Sequence, residues 1–428
     1  MSQKKSHRQK KSHIQKETRR EMLARCAAWW ATITIVPRHV LGGPGFTPPS
    51  EIRGSAAIGV GVQGIGKVYK GKTLAVCDVS KQRLGVALEK AGPDCKGYTD
   101  FRYILDRKDI DEVIISTPPH WHAVMTIMAA QAGKSVWCEK PLGRTIGEGR
   151  AVVEAIRRHG CSFGYGAGSN GTPADLLAKA YHSRLLGWPL TVYQSEPWCP
   201  FKVTMWAGPP SWKIEPVPDW LDWDMYCGPA PLRPYTSARF GGSHRGWWDY
   251  DGGGIADMGG HIFNWIVGAI DKGHTSPVEI EADAPPADEQ VAGIWYTGRL
   301  KYADGTTLVL DSGLRPNATP ATQKGVYIEG PNGVLYLDKR SGPRTDPPWL
   351  LDALKDVQLP GPIPSTQSIQ DPVERVTHAH RTISLVHLFN IAIRMGRPIR
   401  FDPDKEEIVG DDQANALINQ PMRGPWHL

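Results

Sequence analysis

Short apolar runs alternate with helical patterns through residues 55–165 of this chain. Residues 55–58, 73–77, 113–115 and 135–138 are brief and largely apolar, as strands buried on both faces of a parallel sheet are. Helical periods lie between them, over 81–91 and over 123–132, the second closed by Gly133 as a left-handed cap. Thr145 followed by Glu148 is a capping box that opens a helix running to 159. With a last strand over 161–165, this predicts a Rossmann-type, doubly wound parallel sheet occupying 51–166.

Downstream the pattern changes. Nine of the sixteen Trp fall between Trp188 and Trp265, among many Gly and Pro; for most of them the expected role is to fill a loop-rich core. A helix carrying Asp257 and His261 is expected to run to 270. Segments 279–282, 290–302, 306–310, 325–329 and 333–337 alternate or run apolar between Asp-Gly and Asn-Gly turns, as antiparallel strands do. After a looser stretch over 340–371, a helix spans 376–395. The expected whole is an α/β protein in which an α+β domain with a large, mostly antiparallel sheet (167–428) follows the parallel one.

The formal net charge of +6 belongs to the start of the chain. Residues 1–50 hold ten Lys or Arg and two Glu, a balance of +8 that leaves the body at −2. A body of that charge lacks the basic footprint of a nucleic-acid binder. Seven widely spaced Cys with no C-x-x-C pair suggest neither a disulfide framework nor a zinc ribbon. Arg19-Arg20 precedes an eleven-residue apolar run, 26–36, too short to span a bilayer but suited to a signal core. The pair looks like a twin-arginine (Tat) export signal, followed by a linker to residue 50. The alternative is a basic tail on a cytoplasmic protein.

Candidate chemistry gathers at the strand ends. Gly59-Val60-Gly61-Val62-Gln63-Gly64 follows the first strand and matches G-x-G-x-x-G, whose glycines allow a tight turn and close approach to a pyrophosphate. Asp78 ends the second strand, 19 residues after Gly59, close to the spacing of a carboxylate that accepts from ribose hydroxyls and so favours NAD over NADP. Only thirteen residues, 60–72, join these strands, near the minimum of roughly 10–12 for a crossover, so the first helix must be stunted. The third strand breaks at Thr117-Pro118-Pro119 and continues His120-Trp121-His122; the fourth delivers Glu139-Lys140-Pro141 to the same edge. Asp257 and His261, at i and i+4, share a helix face. The two H-x-H pairs, His120/His122 and His378/His380, lack further ligands at metal-site spacing, so no metal is expected.

The pairing of T-P-P-H-W-H with C-E-K-P-L resembles the Gfo/Idh/MocA oxidoreductases, and 216–235 and the tail resemble an exported bacterial branch of that family. The likeness covers nearly everything from Ile52 to Leu428. It implies NAD-linked hydride transfer at a hydroxyl of a sugar, glycoside or polyol, with Lys140, Asp257 and His261 as the catalytic group. It implies cofactor contacts at Gly59, Gly61, Val62, Gln63, Gly64, Asp78, Thr117, Pro118, His120, His122, Glu139 and Lys140. Substrate contacts are expected at Trp121, Arg245 and Trp248, and a homo-oligomer through the C-terminal sheet. Where relatives carry Gln and Arg after the last Rossmann strand, this chain has 166–171, Gly-Ala-Gly-Ser-Asn-Gly, which alters the contacts expected there. Two further readings stay open: a glycosidase that retains NAD through oxidation, elimination and re-reduction, and a ligand-binding relative without catalysis.

Twin-arginine recognition depends on two guanidinium groups that Lys does not reproduce. Arg19→Lys with Arg20→Lys should therefore abolish periplasmic delivery, read by fractionating cells that express the full chain; unchanged delivery would rule the signal out.

Overall fold

In the computed structural model, residues 53–167, 174–195, 204–314, 325–338 and 341–428 are described. The export signal and linker (1–50) and the altered stretch beyond residue 167 lie outside them. Six strands form a parallel sheet: β1 (Ser55–Ile58), β2 (Thr73–Cys77), β3 (Lys96–Tyr98), β4 (Glu112–Ile115), β5 (Ser135–Cys138) and β6 (Phe163–Tyr165), in the order β3-β2-β1-β4-β5-β6. The order reverses between β1 and β4, the point at which open α/β sheets bind ligands.

Register determines what reaches that point. Ile58 lies opposite both Cys77 and Ile115, Ile115 opposite Cys138, and Cys138 opposite Tyr165. The next residue of each strand therefore emerges on one edge: Gly59, Asp78, Ser116, Glu139 and Gly166. The ladder continues into these residues, with the amides of Gly59, Ser116 and Glu139 donating to Cys77, Ile58 and Ile115 carbonyls at 2.8, 2.8 and 2.9 Å.

Three helices cover this sheet. Helix α1 (Lys81–Ala91) begins after Ser80, whose hydroxyl accepts from the Arg83 amide. Helix α2 (His122–Gln131) is apolar nearly all round and almost wholly buried, as a helix between a sheet and other helices must be. Helix α3 (Ile146–His159) has the expected cap: Thr145 Oγ1 accepts from the Glu148 amide at 3.1 Å, and Glu148 Oε2 accepts from the Arg144 amide at 2.6 Å. The stunted first helix is a single 3-10 turn, Gly64–Lys67.

The second sheet contains β7 (Thr191–Ser195), β8 (Glu279–Asp283), β9 (Thr297–Lys301), β10 (Thr307–Asp311), β11 (Gly325–Gly330), β12 (Gly333–Asp338), β13 (Gly342–Asp346), β14 (Ile399–Asp402) and β15 (Glu407–Ile408). Its order is β13-β12-β11-β7-β10-β9-β8-β14-β15, antiparallel except where β7 meets β10. One face is apolar: Val192, Ile280, Leu300, Leu308, Ile328 and Leu335 are buried. Helices α4 (Ala174–Ser183), α5 (Gly253–Ala269) and α6 (Pro372–Met395) share one continuous core with it and with the parallel sheet. On the other face Tyr193, Tyr327 and Tyr336 lie in register and half-exposed, the first two stacked at 4.3 Å, with the Arg344 guanidinium 3.8 Å from the Tyr336 ring centre.

The Trp-rich excursion ahead of α5 builds its own small core from Leu221, Trp223, Tyr226, Tyr235, Trp247 and Tyr250. It also reaches back to the parallel sheet. The Lys81 amide donates to the Trp220 carbonyl at 2.8 Å, and the Asp222 amide to the Val79 carbonyl at 3.0 Å. These bonds tie the excursion to the loop just beyond Asp78.

Candidate active site

A cavity of about 440 Å³ opens at the sheet edge and is walled from both halves of the chain. On one side stand Gly59, Gly61, Val62, Gln63, Asp78, Thr117 and Pro118, and on the other Trp206, Tyr226, His244 and Arg245. Lys140 and Asp257 lie between them.

The glycine loop has the shape a dinucleotide needs. Gly59 has φ +80, and a Cβ there would meet the Thr117 amide nitrogen at 2.7 Å; a Cβ on Gly64 would fall 1.8 Å from the Gly59 carbonyl oxygen. Only glycine fits either position. Gly64 therefore supports the loop from beneath, while Gly61 and exposed Val62 face the cavity. Asp78 Oδ2 accepts from the Val60 amide and Oδ1 from the Ser80 amide, each at 2.9 Å. Each oxygen keeps further lone-pair capacity for a ribose hydroxyl. Burial raises the Asp78 pKa, against these amides and the Arg83 charge. The cradle and the carboxylate thus fit a dinucleotide.

Lys140 comes directly off β5 and meets α5. Its Nζ donates to Asp257 Oδ1 at 2.5 Å and to the Asp257 carbonyl at 2.7 Å; an ammonium has three donors, so one remains. Asp257 Oδ2 accepts from Trp206 Nε1 at 2.9 Å and forms an ion pair with Arg245 Nε at 2.9 Å. Burial alone would raise the Asp257 pKa; the Lys140 and Arg245 charges and the hydrogen bonds overcome it and hold the carboxyl well below the usual range.

Most of the other expected residues stand back from the cavity. His120 is buried, its Nε2–H donating to the Tyr226 carbonyl at 2.8 Å, and burial pushes its pKa well down. His122 staples two strand-end loops, with Nδ1 2.6 Å from the Pro141 carbonyl and Nε2 2.7 Å from that of Thr117. Burial lowers its pKa to about 4, although both carbonyls favour the cation. Glu139 is buried beneath the edge, off the wall. Trp121 lines the cavity with its indole N–H committed to the Met225 and Tyr226 carbonyls. Trp248 turns away, donating to the Asp288 carbonyl at 3.0 Å. His261 is half-buried one turn beyond Asp257 on α5 and is not among the described residues that line the cavity.

Trp206, Tyr226 and His244 were not singled out from sequence. All three come from the aromatic excursion, where nothing in the spacing distinguishes a wall residue from a core one. Burial drives the His244 pKa to about 3, with the neighbouring Arg245 charge adding to it. A neutral imidazole therefore faces the cavity at ordinary pH.

A doubly wound sheet with a glycine cradle, an acidic second-strand end and a buried Lys–Asp pair at the switch point defines a dinucleotide-binding oxidoreductase fold. The chain belongs to the Gfo/Idh/MocA family: the description "Oxidoreductase family, NAD-binding Rossmann fold" matches residues 58–167, and "Oxidoreductase family, C-terminal alpha/beta domain" matches 170–428. Among similar proteins, levoglucosan dehydrogenase of Pseudarthrobacter phenanthrenivorans is 45% identical over 87 residues, 19% of this chain and 21% of that protein. Inositol 2-dehydrogenase of Salmonella paratyphi B is 36% identical over 21% of this chain and 26% of its own length. Alpha-N-acetylgalactosaminidase of Shewanella oneidensis is 34% identical over 26% and 28%. The alignments thus span less than a third of each of these relatives. The WlbA dehydrogenase of Bordetella pertussis, solved with NADH and UDP-GlcNAcA, shares the fold over 82% of this chain and 99% of its own, with a TM-score of 0.52 at 17% identity.

The Asp257 carboxylate should add to stability above its unfolded pKa of about 3.9. Because its folded pKa is depressed, that contribution is lost as pH falls toward the folded value. Asp257→Asn leaves Lys140 buried with half its partner gone and should cost about 3–5 kcal/mol at pH 7. In urea unfolding, the deficit against wild type should shrink below about pH 4; a deficit constant with pH would mean that the charge does not matter.

Proposed function

We propose that this protein is an NAD-dependent oxidoreductase acting on a hydroxyl of a sugar, glycoside or polyol. The observation that carries the reading is Lys140 held by Asp257 in the same cavity that the glycine loop and Asp78 line. When bound, the nicotinamide supplies the hydride acceptor. Lys140 presents its remaining N–H to the substrate oxygen, Asp257 and Trp206 fix that ammonium's place, and Arg245 keeps Asp257 ionised. His261, one turn along α5, is assigned as the group that takes the hydroxyl proton, since imidazole exchanges protons near neutral pH. The identity to a glycosidase supports a second reading, in which NAD stays bound and the ring is oxidised, loses its aglycone and is re-reduced.

A panel of inositol, levoglucosan and an aryl N-acetylgalactosaminide, offered with NAD while NADH and released aglycone are followed together, tests both readings. Net NADH identifies a dehydrogenase; aglycone without NADH identifies the redox glycosidase; neither product sinks the proposal. Lys140→Ala and His261→Ala should each lose about 10²–10⁴ in turnover while keeping NAD affinity, and the double variant should lose far less than the product of the two. Near-normal turnover of His261→Ala would remove it from the mechanism.

NAD should bind more tightly than NADP, because Asp78 accepts from ribose hydroxyls and repels a 2′-phosphate. Titrating the purified protein with both decides this, and tighter NADP binding would show that nearby Arg83 dominates instead.

The half-exposed Tyr193, Tyr327 and Tyr336 support association of copies through the outer face of the second sheet. Tyr327→Arg should then shift sedimentation toward the monomer; a wild-type monomer would refute the assembly. The expected export is likewise a proposal, resting on Arg19 and Arg20.

A further inference from the structure

The wall residues His244 and Arg245 come from one 3-10 turn, Gly241–Gly246, and the mechanism gives the histidine no task. Each side chain bonds back to the carbonyl three residues earlier: His244 Nδ1 to that of Gly241, and Arg245 Nη1 to that of Gly242 at 3.2 Å. A carbonyl only accepts, so in the neutral ring Nδ1 carries the proton and Nε2 is left with a lone pair. Nε2 makes no hydrogen bond among the described residues, nor is it one of the unpartnered atoms sealed off from outside. His244 is otherwise buried and lines the cavity, so the lone pair faces into it.

A short chain of contacts links this acceptor to the reacting group. Arg245 follows His244 in sequence, its Nε is 2.9 Å from Asp257 Oδ2, and Asp257 Oδ1 is 2.5 Å from Lys140 Nζ. All four residues line the same cavity. Arg245 Nη2 makes no hydrogen bond among the described residues, so the turn offers a donor and an acceptor side by side. Two cations that share one carboxylate stand close enough to hold two oxygens of one small molecule.

An acceptor beside a donor recognises a group that can do both. A hydroxyl donates and accepts, an ether or carbonyl oxygen only accepts, and a C–H group does neither. A molecule that fills the cavity without that hydroxyl leaves the imidazole nitrogen and the guanidinium desolvated and unpaired. Sites built to bond a hydroxyl reject its absence strongly for this reason.

We propose that His244 is a specificity-determining residue: its Nε2 accepts from a substrate hydroxyl on the carbon next to the one oxidised, and the Arg245 guanidinium donates to that same oxygen. The inference rests on the oxidoreductase reading and narrows it to vicinal diols whose neighbouring hydroxyl is free. Lys140 takes the reacting oxygen, and His244 determines which of the substrate's hydroxyls that is. His244 moves no proton; it sets the register of the substrate against Lys140.

Two substitutions separate this role from a structural one. His244→Asn carries an amide N–H at the reach of Nδ1 and keeps the bond to Gly241, but has nothing at the position of Nε2. His244→Gln brings an amide oxygen to the position of Nε2 and gives up the Gly241 bond. On whichever compound of the panel the wild type turns over, His244→Asn should lower kcat/KM about tenfold or more with NAD affinity unchanged, and His244→Gln should recover most of that loss. The wild type should lose a similar factor on analogues whose neighbouring hydroxyl is replaced by hydrogen or methoxyl, whereas His244→Asn should treat parent and analogue alike. Wild-type turnover in His244→Asn, a His244→Gln protein no better than it, or equal discrimination against the analogues by wild type and His244→Asn would each overturn the assignment. Should His244→Asn fail to fold, His244→Gln and the wild type's response to the analogues decide. Calorimetric titration of the panel compounds into NADH-loaded protein keeps the two readings apart. Binding that His244→Asn weakens, with no turnover by the wild type, refutes the oxidoreductase reading and leaves the diol site standing; no binding and no turnover refutes both.

Discussion

The contact between Lys140 and Asp257 joins a strand end of the parallel sheet to the first buried turns of α5 at 2.5 Å. Both side chains are almost fully buried, so each charge depends on the other: separating them would strand an ion in a medium that solvates it poorly. Arg245 and Trp206 complete the coordination of the carboxylate from the aromatic excursion. One carboxylate thereby determines how β5, α5 and the excursion meet, and the cavity is the space they enclose. An apolar pair could pack as tightly, but it would bring no N–H donor to the cavity wall.

The parallel half was legible because its strands are buried on both faces and its turns are governed by steric rules. The capping box at Thr145 and Glu148 and the close approach of Gly64 to the Gly59 carbonyl act within a few residues, where spacing alone conveys them. What escaped lies mostly at edges, the interior strand β7 between β11 and β10 being the exception. Strand β3, Lys96-Gly97-Tyr98, and β13, Gly342-Pro343-Arg344-Thr345-Asp346, carry little apolar pattern because an edge strand needs little burial. The strand expected over 290–302 shortens to β9: Val291 leaves the sheet to bridge Trp247, and Trp295 packs edge-on against Phe389. Helix α6 starts earlier than its periodicity suggests, since Asp371 caps it and Pro372 is tolerated in its first turn.

The site was half legible for a related reason. Residues at strand ends are placed by register, and Gly59, Asp78, Thr117 and Lys140 all reach the cavity. Residues in turns and helices depend on tertiary packing. The i, i+4 rule puts Asp257 and His261 on one side of α5 but does not say how far along that side the cavity extends. His120 and His122 adjoin the right loop, yet both nitrogens of His122 and Nε2 of His120 are taken up by backbone carbonyls. The H-x-H therefore works as internal stitching, a role invisible without the carbonyls it meets.

The bonds from the excursion to Val79 and Lys81 also bear on the order of events during synthesis. The glycine loop emerges early, but the wall opposite it, and the carboxylate that holds Lys140, are made only when the chain has passed Asp257. Long-range closure of this kind is slow compared with local helix formation, and a ribosome delivers the first half well before the second. The nascent N-terminal half therefore displays an open switch point and an unpaired lysine, and dinucleotide arriving at that stage meets half a site. Closure of the cavity is thus a late event that reports completion of the fold, and a truncated chain that kept every residue of the glycine motif would still lack the wall opposite it.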